Sequence, residues 1–170
     1  MSRLAPEEIR ALLPLRARAV PIVATMAASA LATLPIVTDM PLLPPFGLLM
    51  LLAWRLLRPE LWQAWVGLPL GLFDDLMSGQ PIGSAMALWT IVLLALDLSD
   101  NRAIWQDYWH DLLIATFALA FCIAGGWMVV AFTAAAPSLL AMVPQMVLAI
   151  LLMPSAIRIA ARLDRFRLAR

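Results

Sequence analysis

The sequence contains no lysine, and it has only one cysteine, one histidine and one tyrosine. The lone Cys122 leaves no partner for a disulfide within these residues, and a single histidine is too few for an ordinary zinc site. Charged residues make up 14% of the chain, whereas hydrophobic residues make up 64% and the mean hydropathy is +0.90. So much apolar surface exceeds what the core of one small soluble domain can bury. The composition therefore predicts an integral membrane protein.

Six apolar segments follow an arginine-bearing N-terminal stretch at residues 1–19. They cover residues 20–37, 41–57, 61–73, 81–96, 112–136 and 139–157. A helix of about 20 apolar residues crosses a bilayer, and the third segment is short and interrupted by glycine and proline, so its full crossing stays open. The pattern predicts an all-α membrane domain at residues 20–157, a polytopic bundle of six transmembrane helices, followed by a basic cytoplasmic tail at residues 158–170.

All twelve arginines fall in segments that six spans would place on one face of the membrane. Four lie in residues 1–19, two are Arg55 and Arg58, one lies in residues 97–111 and five lie in residues 158–170. Positive charge in short loops stays on the cytoplasmic side, so we expect both termini to be cytoplasmic. We expect Arg55 to extend its long side chain to the interface. Residues 104–112 show helical spacing of aromatic and apolar residues, which predicts an amphipathic helix at headgroup level.

A stripe of small residues runs along the third segment. Gly67, Gly71, Asp75 and Gly79 follow one another at intervals of four residues. On a helix they share one face that has almost no side-chain bulk. We therefore expect another helix, of this chain or of a partner, to pack closely against this face.

Turn-forming residues follow this stripe. Ser78 stands three residues after Asp75 and is placed to bond a carboxylate or to cap the helix after Gly79. Pro81 suits the first turn of that next helix, and Gly79 permits the turn before it.

Two adjacent carboxylates, Asp74 and Asp75, raise the question of intramembrane acid–base chemistry. Adjacent residues on a helix point about 100° apart, so the two carboxylates cannot readily converge on one scissile bond. The acids of residues 97–111 are predicted on the opposite face, and no nucleophile has a neighbouring base. We therefore expect no enzyme activity. Asp74 reads as an interfacial acid without a fixed role, and Asp75 as a structural or partner-contact residue, although which of the two matters stays open.

The stretch Gly71-Leu-Phe-Asp-Asp-Leu-Met-Ser-Gly-Gln-Pro-Ile-Gly83 resembles the signature of the rod shape-determining protein MreD family. The residues that match this signature are Asp75, Ser78, Gly79, Pro81 and Gly83. Ile82 replaces the usual leucine, and Asp74 adds a second acid. The similarity extends to chain length, to the number of spans and to an early proline-rich segment at residues 41–45.

This resemblance implies a non-enzymatic scaffold in the bacterial inner membrane, without a cofactor and without nucleic-acid binding. It implies an MreC-like partner and a wider complex with MreB, RodA and a class B penicillin-binding protein, which supports cell shape and lateral peptidoglycan synthesis. We expect the helix-packing or partner interface to consist of Gly67, Gly71, Asp75, Ser78, Gly79, Pro81 and Gly83.

The same resemblance offers an alternative, because the family is thought to share its fold with the vitamin-binding subunits of energy-coupling-factor transporters. Such a subunit encloses a pocket with convergent polar groups. The predicted spans hold few polar residues: Thr25, Ser29, Thr33, Ser84, Thr90 and Thr116. This set is too sparse for tight recognition of a polar ligand, so the scaffold is the preferred function, and whether a small ligand binds stays open.

Overall fold

The computed structural model describes residues 15–33, 43–100, 108–133, 140 and 142–168. These residues form six α-helices, namely α1 (Leu15–Ala30), α2 (Phe46–Leu57), α3 (Gly67–Ser78), α4 (Ser84–Asp100), α5 (Tyr108–Thr133) and α6 (Met142–Leu168). Short 3₁₀ turns occupy Leu31–Thr33, Pro59–Leu61 and Ala64–Val66, and no strand occurs in this part of the chain. The prediction of an all-α protein with six helices is confirmed. Residues 1–14 of the arginine-bearing N-terminal stretch and residues 104–107 of the amphipathic pattern lie outside the described residues.

The third helix is displaced along the chain from its predicted position. It was expected at residues 61–73, but α3 runs from Gly67 to Ser78. Pro69 is accommodated because the first turn of a helix has no intrahelical acceptor for its N–H groups. The helix ends where Gly79 adopts a left-handed conformation with φ of 69°. Both carboxylates of the acidic pair therefore lie within the helix and not in the connection after it.

Helix α2 forms the centre of the bundle. All seven residues from Leu48 to Trp54 are buried. A helix that is apolar on every side must be surrounded, and α2 packs against α1 on one side and α6 on the other. Its 12 residues give a length of about 18 Å, which is shorter than the hydrocarbon core of a bilayer.

Two helices among the described residues are long and apolar enough to cross a membrane. They are Asp111–Thr133, with 23 residues, and Met142–Arg167, with 26 residues. Three further apolar helices are shorter, namely Ala19–Ala30, Phe46–Leu57 and Ser84–Ser99. Six full spans thus stay a prediction. Helix α6 continues without interruption past residue 157, so the first part of the predicted tail is an extension of this helix.

Arg55 is bonded within the protein, and whether it also reaches the membrane interface stays a prediction. It is buried, with 4% of its surface exposed. Its Nη2 group donates to Asp97 Oδ1 at 2.6 Å, and its Nη1 group donates to the Pro59 carbonyl at 2.6 Å. The counter-ion of Arg55 is thus Asp97, which lies 42 residues later on α4.

A buried acid on α6, Asp164, lies at the same end of the bundle. It accepts hydrogen bonds from Arg58 Nη2 at 3.1 Å and from Arg167 Nε at 2.6 Å. The Arg167 guanidinium also lies 5.5 Å from the centre of the Trp54 ring, a distance at which a cation is attracted to an indole face. We call the cluster of Arg55, Arg58, Asp97, Asp164 and Arg167 the arginine end.

Candidate functional site

Asp75 is a buried carboxylate that accepts hydrogen bonds on both of its oxygens. Only 1% of its surface is exposed. Its two oxygens accept hydrogen bonds from the Gly83 N–H at 2.8 Å, the Ser84 hydroxyl at 2.8 Å, the Ala85 N–H at 2.9 Å and the Met86 N–H at 3.4 Å. All four donors lie at the start of α4. Asp75 therefore fastens the end of α3 to the beginning of the next helix.

This carboxylate caps α4 from a neighbouring helix. The Gly83 carbonyl accepts the first bond of α4, from the Ala87 N–H at 3.0 Å, so Gly83 stands at the N-cap position. N-cap residues normally use a side-chain oxygen to bond the free N–H groups of the first turn, and glycine has none. Asp75 supplies that oxygen, and its negative charge faces the positive end of the helix dipole.

The turn between the two helices depends on glycine at two positions. Gly79, at φ of 69°, donates its N–H to the Asp75 carbonyl at 3.1 Å, and Gly83 has φ of 98°. The Pro81 carbonyl accepts the Ser84 N–H at 3.1 Å, which closes the turn. A side chain at either glycine would meet no neighbour within 4 Å, so the requirement is conformational. Gly79 thus differs from the packing role that the four-residue stripe predicted for it.

Gly67 and Gly71 sit where the backbones of α3 and α4 approach each other. A Cβ on Gly71 would lie 2.6 Å from the Met86 backbone nitrogen, and one on Gly67 would lie 2.8 Å from the Thr90 nitrogen. Such distances are too short for any side chain. In the described structure this face of α3 is therefore occupied by α4 of the same chain, and a role in partner binding stays a prediction.

Two residues of the signature, Ser78 and Pro81, do not have the roles that the sequence predicted for them. Among the described residues, no hydrogen-bond partner lies within reach of the buried Ser78 hydroxyl. Ser84 supplies the hydroxyl that bonds Asp75, which sequence reasoning missed although Ser84 directly follows the turn glycine. Pro81 lies before α4 and not in its first turn, because the conformation of Gly83 delays the helix to Ser84.

Asp74 faces a different part of the molecule from Asp75, as the 100° separation of adjacent helical residues requires. It is 8% exposed. A Cβ on Gly47 of α2 would meet the Ser29 hydroxyl and would lie 2.6 Å from Asp74 Oδ1, so α1, α2 and α3 meet at this point. The Ser29 hydroxyl is close enough to interact with the Asp74 carboxylate but lacks the geometry of a full hydrogen bond.

Asp74 also lines a cavity of about 200 Å³ between α2, α3, α4, α5 and α6. The polar side chains on its wall are Asp74, Gln80, Gln145 and Cys122, and the indoles of Trp89 and Trp127 are also there. Gln145 donates its Nε2 group to the Leu43 carbonyl at 2.9 Å. Among the described residues, no group of three His, Cys, Asp or Glu side chains is placed to hold a metal ion.

The comparisons with known proteins agree with the resemblance carried by these residues. The family model of the rod shape-determining protein MreD matches residues 17–159, which is most of the chain and includes all six described helices apart from the ends of α1 and α6. No curated protein and no solved structure matches the chain.

Proposed function

Since the chain belongs to the rod shape-determining protein MreD family, we propose that it is a non-enzymatic scaffold that binds an MreC-like partner in the bacterial inner membrane. Members of this family are membrane proteins that determine rod shape. The proposal includes six membrane crossings, cytoplasmic termini and a wider complex with MreB, RodA and a class B penicillin-binding protein. In that complex the scaffold would support lateral peptidoglycan synthesis.

The single observation that carries the scaffold proposal is that the Asp75 carboxylate is fully engaged in hydrogen bonds within the chain. A general acid or base must be free to reach a substrate proton. Both oxygens of Asp75 are instead engaged by backbone and hydroxyl donors of its own chain, and the residue is 1% exposed. The central acid of the signature thus shapes the α3–α4 joint, which favours an assembly function over catalysis.

The distribution of charge supports the proposed orientation. The arginine end includes Asp97, which is 13 residues after the first residue of α4, or about 20 Å along the helix. The α3–α4 turn lies at the other end of α4. Because arginine is retained on the cytoplasmic side, this turn is proposed to face the outside.

The exposed part of the turn is our proposed contact with the partner. Ile82 is 75% exposed, although it lies between residues that the joint requires. It makes no hydrogen bond across the joint and no contribution to the bundle core. An apolar side chain held at the tip of a rigid turn is suited to a groove on another protein.

The experiment measures recovery of the MreC-like partner with the tagged chain from solubilised membranes, together with cell shape in a strain that depends on the tagged copy. We expect Ile82→Asn to lower recovery about tenfold, since an apolar anchor contributes roughly 1–2 kcal/mol or more to an interface. Leu140→Asn is the matched control, because Leu140 is an aliphatic residue that is 82% exposed. Failure of the unmodified chain to recover the partner would refute the scaffold proposal.

The transporter alternative calls for a larger polar pocket than either of two cavities found among the described residues. Pockets for small organic ligands commonly measure about 300–1,000 Å³. The cavity beside Asp74 measures about 200 Å³, and a cavity between α4 and α5 measures about 280 Å³ but is lined almost wholly by apolar side chains. The scaffold is therefore the function that the geometry supports better.

A further inference from the structure

Asp74 is a buried carboxylate that lacks a cationic partner. It is 8% exposed, and none of the described arginines forms an ion pair with it, because those that pair do so with Asp97, Glu60 or Asp164. A charged group at membrane depth costs roughly 2.5–3.5 kcal/mol and normally pairs with another group. The scaffold proposal gives Asp74 no role, so its position in the cavity wall requires a separate explanation.

The wall of the cavity has the chemistry of a cation site. Besides the Asp74 carboxylate it contains two indoles, Trp89 and Trp127, and indole faces attract cations. It also contains two amides, Gln80 and Gln145. Since Gln145 uses its Nε2 group to bond the Leu43 carbonyl, its Oε1 atom is left to accept a bond from a guest.

The same wall is unsuited to an anion. No arginine or histidine occurs among the described residues that line it. A phosphate or carboxylate guest would therefore meet the charge of Asp74 with no compensating cation. The volume of about 200 Å³ further limits the guest to one group of side-chain size.

We propose that this cavity binds a single organic cation, an ammonium or a guanidinium group, with Asp74 as its counter-ion. The amide oxygens of Gln80 and Gln145 are the further acceptors, and the two indoles attract the cation through their faces. The cation comes either from a free small amine or from a lysine or arginine side chain of a partner protein. The site is separate from the proposed partner contact at Ile82 and from the Asp75 carboxylate, although Gln80 belongs to the α3–α4 turn.

The first experiment uses the purified full chain in lipid nanodiscs with n-butylammonium and n-butylguanidinium as probes. Thermal unfolding and tryptophan fluorescence report binding, since two tryptophans line the cavity. We expect a saturable rise in the unfolding temperature with either cation. Neutral n-butanol, which has the same alkyl chain, should give no saturable effect. An equal response to n-butanol would overturn the proposal.

Variants then assign the binding to Asp74. Asp74→Asn keeps the shape and removes the charge, so we expect binding to weaken about tenfold. Glu60→Gln is the matched control, since Glu60 is an acid near the arginine end, and it should bind as the unmodified chain does. If Asp74→Asn does not fold, Gln145→Met tests the same wall, with an expected loss of about threefold. Unchanged affinity in the folded variant would overturn the proposal.

A last arm identifies the source of the cation. The titration is repeated on the chain co-purified with its partner. If the partner contributes the cation, the complex no longer responds to n-butylammonium, whereas the chain alone still does. If the guest is a free amine, both respond equally. Because the chain alone is measured first, failure to recover the partner would refute the scaffold proposal without affecting the cation site.

Discussion

The two ends of the bundle bond their acidic side chains in different ways. At the α3–α4 joint, Asp75 is held by three backbone N–H groups and one hydroxyl. At the arginine end, Asp97 and Asp164 are held by arginine side chains. Backbone donors are already fixed by the helix, whereas an arginine loses side-chain freedom when it pairs. We therefore expect that replacing Asp75 lowers the free energy of unfolding more than breaking the Arg55–Asp97 pair does.

The largest effect is expected at Asp75. Asp75→Ala would leave buried N–H groups of the α4 first turn without an acceptor, and each such group costs about 1–3 kcal/mol. We expect a loss of roughly 3 kcal/mol or more in the free energy of unfolding, measured by denaturant titration in detergent micelles. Asp75→Asn, which keeps one acceptor oxygen, should lose less. A loss below that of the Arg55–Asp97 pair would contradict the comparison between the two ends.

The close approach of α3 and α4 gives the second prediction. Gly71→Ala would place a Cβ 2.6 Å from the Met86 backbone, which cannot rotate away. Overpacking of this kind costs about 1–3 kcal/mol, so we expect a loss near 2 kcal/mol in the same assay. Gly125→Ala is the control, because its Cβ would meet only the mobile end of Leu88. Equal losses in both variants would show that α3 and α4 separate easily.

A smaller effect is expected at the turn. Gly79→Ala must adopt φ of 69°, which costs an L-residue about 1 kcal/mol, although the space around it is open. Gly126→Ala, within α5 and 3.7 Å from the Gln80 side chain, should be neutral or slightly stabilising. Thermal unfolding of the two variants separates conformational strain from steric contact. A neutral Gly79→Ala would argue against the left-handed turn.

The smallest effect concerns the arginine end. The Asp97 side chain is 36% exposed, so its pair with Arg55 is partly screened by solvent. A double-mutant cycle with Arg55→Gln and Asp97→Asn should give a coupling of roughly 0.5–1 kcal/mol that falls as salt rises. A coupling free energy as large as the loss in unfolding free energy caused by Asp75→Ala would show that the two ends do not differ in the way described.

Local sequence patterns predicted much of the fold and part of the joint. Apolar runs predicted six helices, and the spacing of Gly67 and Gly71 predicted a close helix contact. The separation of Asp74 from Asp75 followed from helical geometry. These features depend on residues within one or two turns of each other, where sequence spacing and distance in space agree.

The features that sequence reasoning missed depend on distant residues or on backbone groups. Almost every residue type has a backbone N–H group, so the residue types do not show which of these groups bond Asp75. Ser84 is a donor to Asp75 only because the preceding turn places its hydroxyl there. The partner of Arg55 lies 42 residues away on another helix. The cavity beside Asp74 forms where five helices meet, so no single segment could predict it.

The most direct test of the central claim is amide hydrogen exchange at Ala85 and Met86, followed residue by residue in the folded protein. Asp75→Asn should accelerate exchange at both amides about tenfold or more, because it weakens the acceptor that protects them. Asp74→Asn removes the same charge from the adjacent residue and should leave both amides protected. Unchanged protection in Asp75→Asn, or equal loss in the two variants, would contradict the assignment of Asp75 as the cap of α4.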